Sequence, residues 1–181
     1  MAAFAPLLRA LGQGTWTVVA LVLGLGTAVE LVGVLTGFPF GRYVYTDRWW
    51  PAVRLNEWTW FPLAVPFAWC LMAGASYLTV TRLGRGTSRF LYIPLAGLLA
   101  AGVDLMMEPV MVHRLAYWQW QEPGPLPGGA PVSNFLGWFG TTAVAATVLH
   151  SFGAAKAWES PEPRVVLAGH AALTLGIGLL P

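Results

Sequence analysis

Thr15-Trp-Thr-Val-Val-Ala-Leu-Val-Leu-Gly-Leu-Gly-Thr-Ala-Val-Glu-Leu-Val-Gly-Val-Leu-Thr36 is the stretch on which the fold turns. Glu30 alone among its residues is ionisable, and the run is long enough for a helix rising about 1.5 Å per residue to cross a hydrocarbon layer about 30 Å thick. The rest of the chain agrees. Its 181 residues are 56% hydrophobic and only 10% charged, with a mean hydropathy of +0.61. Soluble domains carry about 25% charged residues, so an ordinary soluble fold is excluded. A 13% aromatic content excludes a disordered chain as well. The net charge of +2 comes from Lys and Arg scattered singly, with no basic run for nucleic acid to bind. The single cysteine, Cys70, has no disulfide partner and lies in an apolar stretch as packing.

Four further stretches read as spanning helices: about 58–81, 90–112, 135–155 and 165–181. The expectation is an all-α, polytopic transmembrane helix bundle of about five spans, forming a single integral membrane domain over 1–181. Arg9 ahead of the apolar Trp16-to-Leu25 run resembles a signal peptide, but hydrophobicity continues past Gly26 to Ala28, which argues against cleavage there. With five crossings, one side holds Arg9, Arg82, Arg85, Arg89, Lys156 and Arg164, and the other Arg42, Arg48, Arg54 and Arg114. That balance places the N-terminus in the cytoplasm of, we expect, a bacterial cytoplasmic membrane.

Aromatic residues are divided far less evenly. Trp49, Trp50, Trp58, Trp60, Trp118, Trp120 and Trp138, with Tyr43, Tyr45 and Tyr117, fall in or beside the two long loops of the second side. Interfacial anchors alone would occur at both faces. Loops of this length are often functional.

Intramembrane carboxyls cost a few kcal/mol each and are therefore candidates for function. Glu30 lies about two turns before the end of the first span, and Asp104 and Glu108 lie past the midpoint of the third, which runs the same way. All three should fall in the leaflet beneath the aromatic loops. Asp104 and Glu108 are four apart and share a helix face, where two like charges cannot both ionise easily, so at least one is expected to keep a proton and serve as a general acid. Pro109, directly after Glu108, should kink the helix or open its ladder. The competing reading is a structural polar network in which Arg42 or Arg114 pairs with these acids at the rim.

His150 and His170 are expected to be hydrogen-bonded structural residues, because no carboxylate or thiolate accompanies them as a metal site would require. His113 reads as a rim residue, and Met106, Met107 and Met111 as soft packing. No phosphate loop, nucleophile elbow or Cys-x-x-Cys pattern occurs. Gly24, Gly26, Gly33 and Gly37 read as sites of close helix packing. No metal and no cofactor are expected. An apolar substrate entering from the lipid fits these features.

At the same positions the sequence resembles the carotenoid biosynthesis protein family typified by the carotenoid 1,2-hydratases. Glu30-Leu-Val-Gly-Val-Leu-Thr-Gly-Phe-Pro-Phe-Gly-Arg-Tyr-Val-Tyr-Thr-Asp47 follows the family's E-x-x-G-x-x-T-G-x-P-F-G-x-Y-x-Y-T pattern. Pro62-Leu-Ala-Val-Pro-Phe-Ala-Trp69 is similar to its V-P-x-A-W helix. Asp104, Glu108-Pro109, Met111, Trp118-Gln-Trp120 and Pro131-Val-Ser-Asn-Phe-Leu-Gly-Trp138 are similar to its D-x-x-x-D-P, W-x-W and P-x-S-N-F-x-G-W elements. Glu108 stands where the family has Asp, Val103 where Trp is common, and Gly124-Pro-Leu-Pro-Gly-Gly-Ala130 where a Tyr-Tyr-Gly-like stretch is usual. The chain is shorter than typical members and is expected to lack their C-terminal helices.

The resemblance implies addition of water to the terminal C1,2 double bond of an acyclic carotenoid. Asp104 or Glu108 would donate a proton, and the partner carboxylate or Glu30 would stabilise the cation and take a proton from the attacking water. Phe40, Tyr43, Tyr45, Trp118, Trp120, Asn134, Phe135 and Trp138 would contact the substrate, with Asn134 positioning water. Membrane lipid is the surrounding partner. A second copy of the chain or other carotenoid-pathway enzymes remain open as protein partners. The competing functions are an end-group cyclase, a non-catalytic carotenoid-binding subunit and a proton-coupled transporter, the last disfavoured by the absence of a repeat.

Overall fold

The computed structural model describes residues 15–84 and 88–152. Among the described residues four helices form the frame: α1 (Thr15–Thr36), α2 (Val65–Leu83), α3 (Arg89–Pro109) and α4 (Val132–Ser151). Three stretches of the described residues are long and apolar enough to cross a membrane: Trp16–Thr36, Phe90–Arg114 and Val132–Ser151. The molecule is a helical membrane protein. The expected fifth span, at about 165–181, lies outside the described residues together with His170.

Helix α2 departs from expectation twice. It begins at Val65 rather than near Trp58, because Trp60–Pro62 is a β-strand and Pro66 sits in the first helical turn, where a missing N–H costs nothing. It is also not among the stretches apolar enough to span, since it carries Ser76, Thr79 and Thr81. Its place explains that composition. α2 packs against each of the other three helices and buries most of its middle, from Trp69 to Val80. Helix α4 starts at Val132, slightly earlier than the expected 135.

The two long loops are not purely irregular but carry short strands beside the helical frame. Strand β1 (Tyr43–Tyr45) pairs antiparallel with β4 (Trp118–Trp120), Tyr43 opposite Trp120 and Tyr45 opposite Trp118. Strand β2 (Ala52–Arg54) pairs with β3 (Trp60–Pro62) in a separate ribbon. Alternating aromatic residues favour short strands of this kind, since their rings pack well across a pleated pair.

Pro109 acts as its chemistry requires. α3 continues past it as a π turn over Val110–Arg114, in which the Leu115 N–H donates to the Val110 carbonyl. A proline cannot donate to the ladder, and the wider turn absorbs the mismatch.

The interior divides into two clusters. One half of the bundle is built from small and aliphatic residues, including Val18, Val22, Ala73, Ala96, Ala145 and Leu149. The other, under the strands, is built from Phe40, Tyr43, Tyr45, Trp69, Met72, Met107, Met111 and Trp118.

Candidate active site

Glu30, Asp104 and Glu108 are 5%, 1% and 1% exposed and line one cavity of about 150 Å³ in the aromatic half. The expected convergence is therefore observed. Around the acids the wall is apolar, supplied by Phe40, Tyr43, Tyr45, Trp49, Trp69, Met72, Met107, Met111, Trp118, Trp120 and Trp138. An apolar cavity of roughly this volume accepts a benzene-sized group.

Each acid is held by neutral donors rather than by a cation. Glu30 accepts hydrogen bonds from the Tyr43 hydroxyl at 2.5 Å, the Tyr45 hydroxyl at 2.7 Å and the Trp69 indole at 2.9 Å. Burial first, and then the neighbouring Glu30 carboxyl, push both phenols well above their ordinary value near 10, so they remain protonated donors. Local sequence makes this reach possible. α1 ends at Thr36, and the chain turns back through Gly37 and Gly41, both with positive φ, to lay β1 over the helix end. A side chain at Gly33 would collide with the Tyr43 hydroxyl at 2.8 Å, so only glycine lets Tyr43 approach α1 closely. Gly26 and Gly33 thus serve close packing as expected, but against Trp69, Phe40 and Tyr43.

Asp104 and Glu108 form a second cluster. The Asn134 amide nitrogen donates to Asp104 Oδ2 at 2.7 Å and to Glu108 Oε1 at 3.1 Å, so one NH2 group spans both carboxyls. Glu108 Oε2 also accepts from the indoles of Trp118, at 3.3 Å, and Trp120, at 3.1 Å. Glu108 therefore has three donors aimed at it and Asp104 one. Behind Glu108, the 3₁₀ turn Pro127–Gly129 presses Gly128 against its backbone. A Cβ at Gly128 would fall 2.8 Å from the Glu108 carbonyl carbon, and its φ of +71° is itself one that glycine favours.

Neither of the arginines considered as partners pairs with these acids among the described residues. Arg42 pairs at 3.6 Å with Glu122 on the surface, and Arg114 is exposed. His113 is exposed as a rim residue, and His150 bonds the Tyr77 hydroxyl at 3.0 Å, as a structural histidine does.

Of the expected substrate contacts, Phe40, Tyr43, Tyr45, Trp118, Trp120, Asn134 and Trp138 line the cavity. Phe135 does not, because it follows Asn134 by one residue and so turns about 100° away on α4. Met106 is 64% exposed, unlike its lining neighbours Met107 and Met111. Trp50 and Trp58 are 82% and 79% exposed and stand outside the site. Trp69 is the main residue that sequence reading passed over. It stacks on Trp138 with ring centroids 4.1 Å apart while donating to Glu30. Its place in the Val65-Pro-Phe-Ala-Trp69 block was the available signal.

The sequence matches the carotenoid biosynthesis protein family over residues 1–179. The chain belongs to that family. The cavity that holds the buried acids is thus a feature of a family member. Among curated proteins it is similar to bisanhydrobacterioruberin hydratase of Haloarcula japonica, 32% identical over 129 residues. The match covers 69% of this chain and 41% of that relative's length. No solved structure matches.

Proposed function

We propose that this carotenoid biosynthesis protein is a hydratase that adds water to the terminal C1,2 double bond of an acyclic carotenoid end group. The observation that carries the reading is the Asn134 amide spanning Asp104 and Glu108 inside an apolar, aromatic cavity of end-group size. The name of the Haloarcula japonica relative points to the same chemistry.

Asp104 is the proton donor. It has a single donor aimed at it, which leaves its second oxygen to carry a proton, whereas three donors around Glu108 suit a carboxylate. In the first step the Asp104 O–H bond breaks and the π electrons of the double bond form a C2–H bond. The positive charge then sits on C1, which is tertiary. Glu30 and Glu108 face that charge from two sides, and the Trp69 and Trp138 pair offers aromatic faces to it. A water oxygen forms the C1–O bond, and its surplus proton passes to the carboxylate of the Asp104–Glu108 pair. The pair ends with the one proton it began with. Hydration changes no net oxidation state, so the sequence of steps is complete without an oxidant or reductant.

Expression in bacterial cells that accumulate an acyclic carotenoid, followed by mass spectrometry of the pigments, tests the reading. A gain of one water per modified end is expected. Unchanged pigment overturns it, and an isomeric, ring-bearing product transfers the site to a cyclase.

A further inference from the structure

Hydration requires water in a cavity whose wall is almost wholly apolar, and three hydroxyls beyond that wall point to where the water is kept. Ser76 and Thr142 are 0% exposed and Thr79 7%, and among the described residues none of the three hydroxyls has a hydrogen-bond partner. Other helix hydroxyls here behave differently. Thr27, Thr36, Thr147 and Ser151 each bond back to the carbonyl four residues earlier, at 2.7 to 2.9 Å. Buried polar groups left without a protein partner are ordinarily satisfied by internal water.

Their positions are specific. Met72 and Trp138 are the cavity-lining residues furthest along α2 and α4, and Ser76 and Thr142 each follow one helical turn later. Val65, Trp69, Met72, Ser76 and Thr79 continue one stripe of α2 at spacings of four and three. Between its first turns and Asp104, α3 buries mainly short side chains, Ala96, Ala100 and Ala101 at 0% exposed, with Val103 at 7%. Ala96 belongs to the same cluster as Ala73, Tyr77 and Ala145 of α2 and α4.

We infer that Ser76 and Thr142, with Thr79 deeper, bind internal water beneath the cavity floor, and that this store supplies the water that captures the cation. The second half of the statement rests on the hydratase reading above. Water arrives from the floor while the rings of β1 and β4 cover the opposite side, so the cation meets one ordered nucleophile rather than bulk solvent.

The test uses Thr142→Val, Ser76→Ala and the double variant of the full chain. Infrared spectra of the purified protein, compared in ordinary and 18O-labelled water, should show an isotope-sensitive internal O–H stretch that is lost in the double variant. Wild-type and double-variant spectra that do not differ overturn the water site, whatever the activity. In assays run in D2O, the double variant should form hydroxylated product about tenfold more slowly while recovered substrate gains deuterium at C2. That label arises when the cation, lacking water, returns a proton from C2 to the carboxylate. Unchanged hydroxylation overturns the supply role, and so does equal loss of hydroxylation and deuterium uptake. A wild type that neither hydroxylates nor exchanges deuterium overturns the hydratase reading, while the infrared comparison still decides the water site.

Discussion

Tyr77 and the pair Tyr43 and Tyr45 are all buried phenols that bond an ionisable partner, yet their surroundings differ in kind. Tyr77 meets His150 in the aliphatic half of the bundle, one phenol against one ring nitrogen, among residues such as Leu78, Ala146 and Leu149. Tyr43 and Tyr45 both aim at Glu30, beside the acid pair Asp104 and Glu108, around a space that no side chain fills. A single satisfied pair in packed surroundings holds helices together. Three carboxyls held by neutral donors, with open volume between them, leave room for an apolar group.

The contrast can be broken by substitution. Asp104→Asn should lower hydration by about a thousandfold, within the range of roughly 10² to 10⁴ that a positioned general acid contributes. Size-exclusion profiles in detergent should stay unchanged, which separates lost chemistry from lost folding. Glu30→Gln keeps the shape but removes a charge facing the cation. Initial rates should fall about 30-fold, on the scale of one preorganised electrostatic contact. Gly128→Ala forces a Cβ into the backbone of Glu108 and a costly positive φ, about 1 kcal/mol from the φ alone. Its rate should drop about tenfold with a modestly lowered melting temperature. Tyr77→Phe should be the mildest. Hydration should remain within about twofold of wild type, while thermal scans report a loss near 0.6 kcal/mol, typical of one hydrogen bond between membrane helices.

Much of this was legible in the sequence, and for a physical reason. A carboxyl within an apolar span is costly enough to stand out, so Glu30, Asp104 and Glu108 could be singled out, and the shared direction of α1 and α3 set them at one depth. Proline chemistry likewise announced the opened turn after Glu108. The pairing of Tyr43–Tyr45 with Trp118–Trp120 was not legible, because it joins segments more than seventy residues apart and no local pattern encodes a partner that distant. Helix α2 was misjudged at its start, since an aromatic run reads as apolar whether it lies in a strand or a helix. The resemblance groups Phe135 with Asn134, whereas helix geometry turns the two about 100° apart and leaves Phe135 off the cavity. The donor role of Trp69 depends on where α1 and α2 cross, which spacing within either helix does not reveal.

Protonation at C2 by the buried acid pair is the central claim, and the position of deuterium reads it directly. An acyclic carotenoid converted by the wild-type protein in D2O should yield a product with one non-exchangeable deuterium at C2 and its hydroxyl at C1, and Asp104→Asn should form almost none of it. A hydroxylated product lacking deuterium at C2, or undiminished product from Asp104→Asn, would contradict the account.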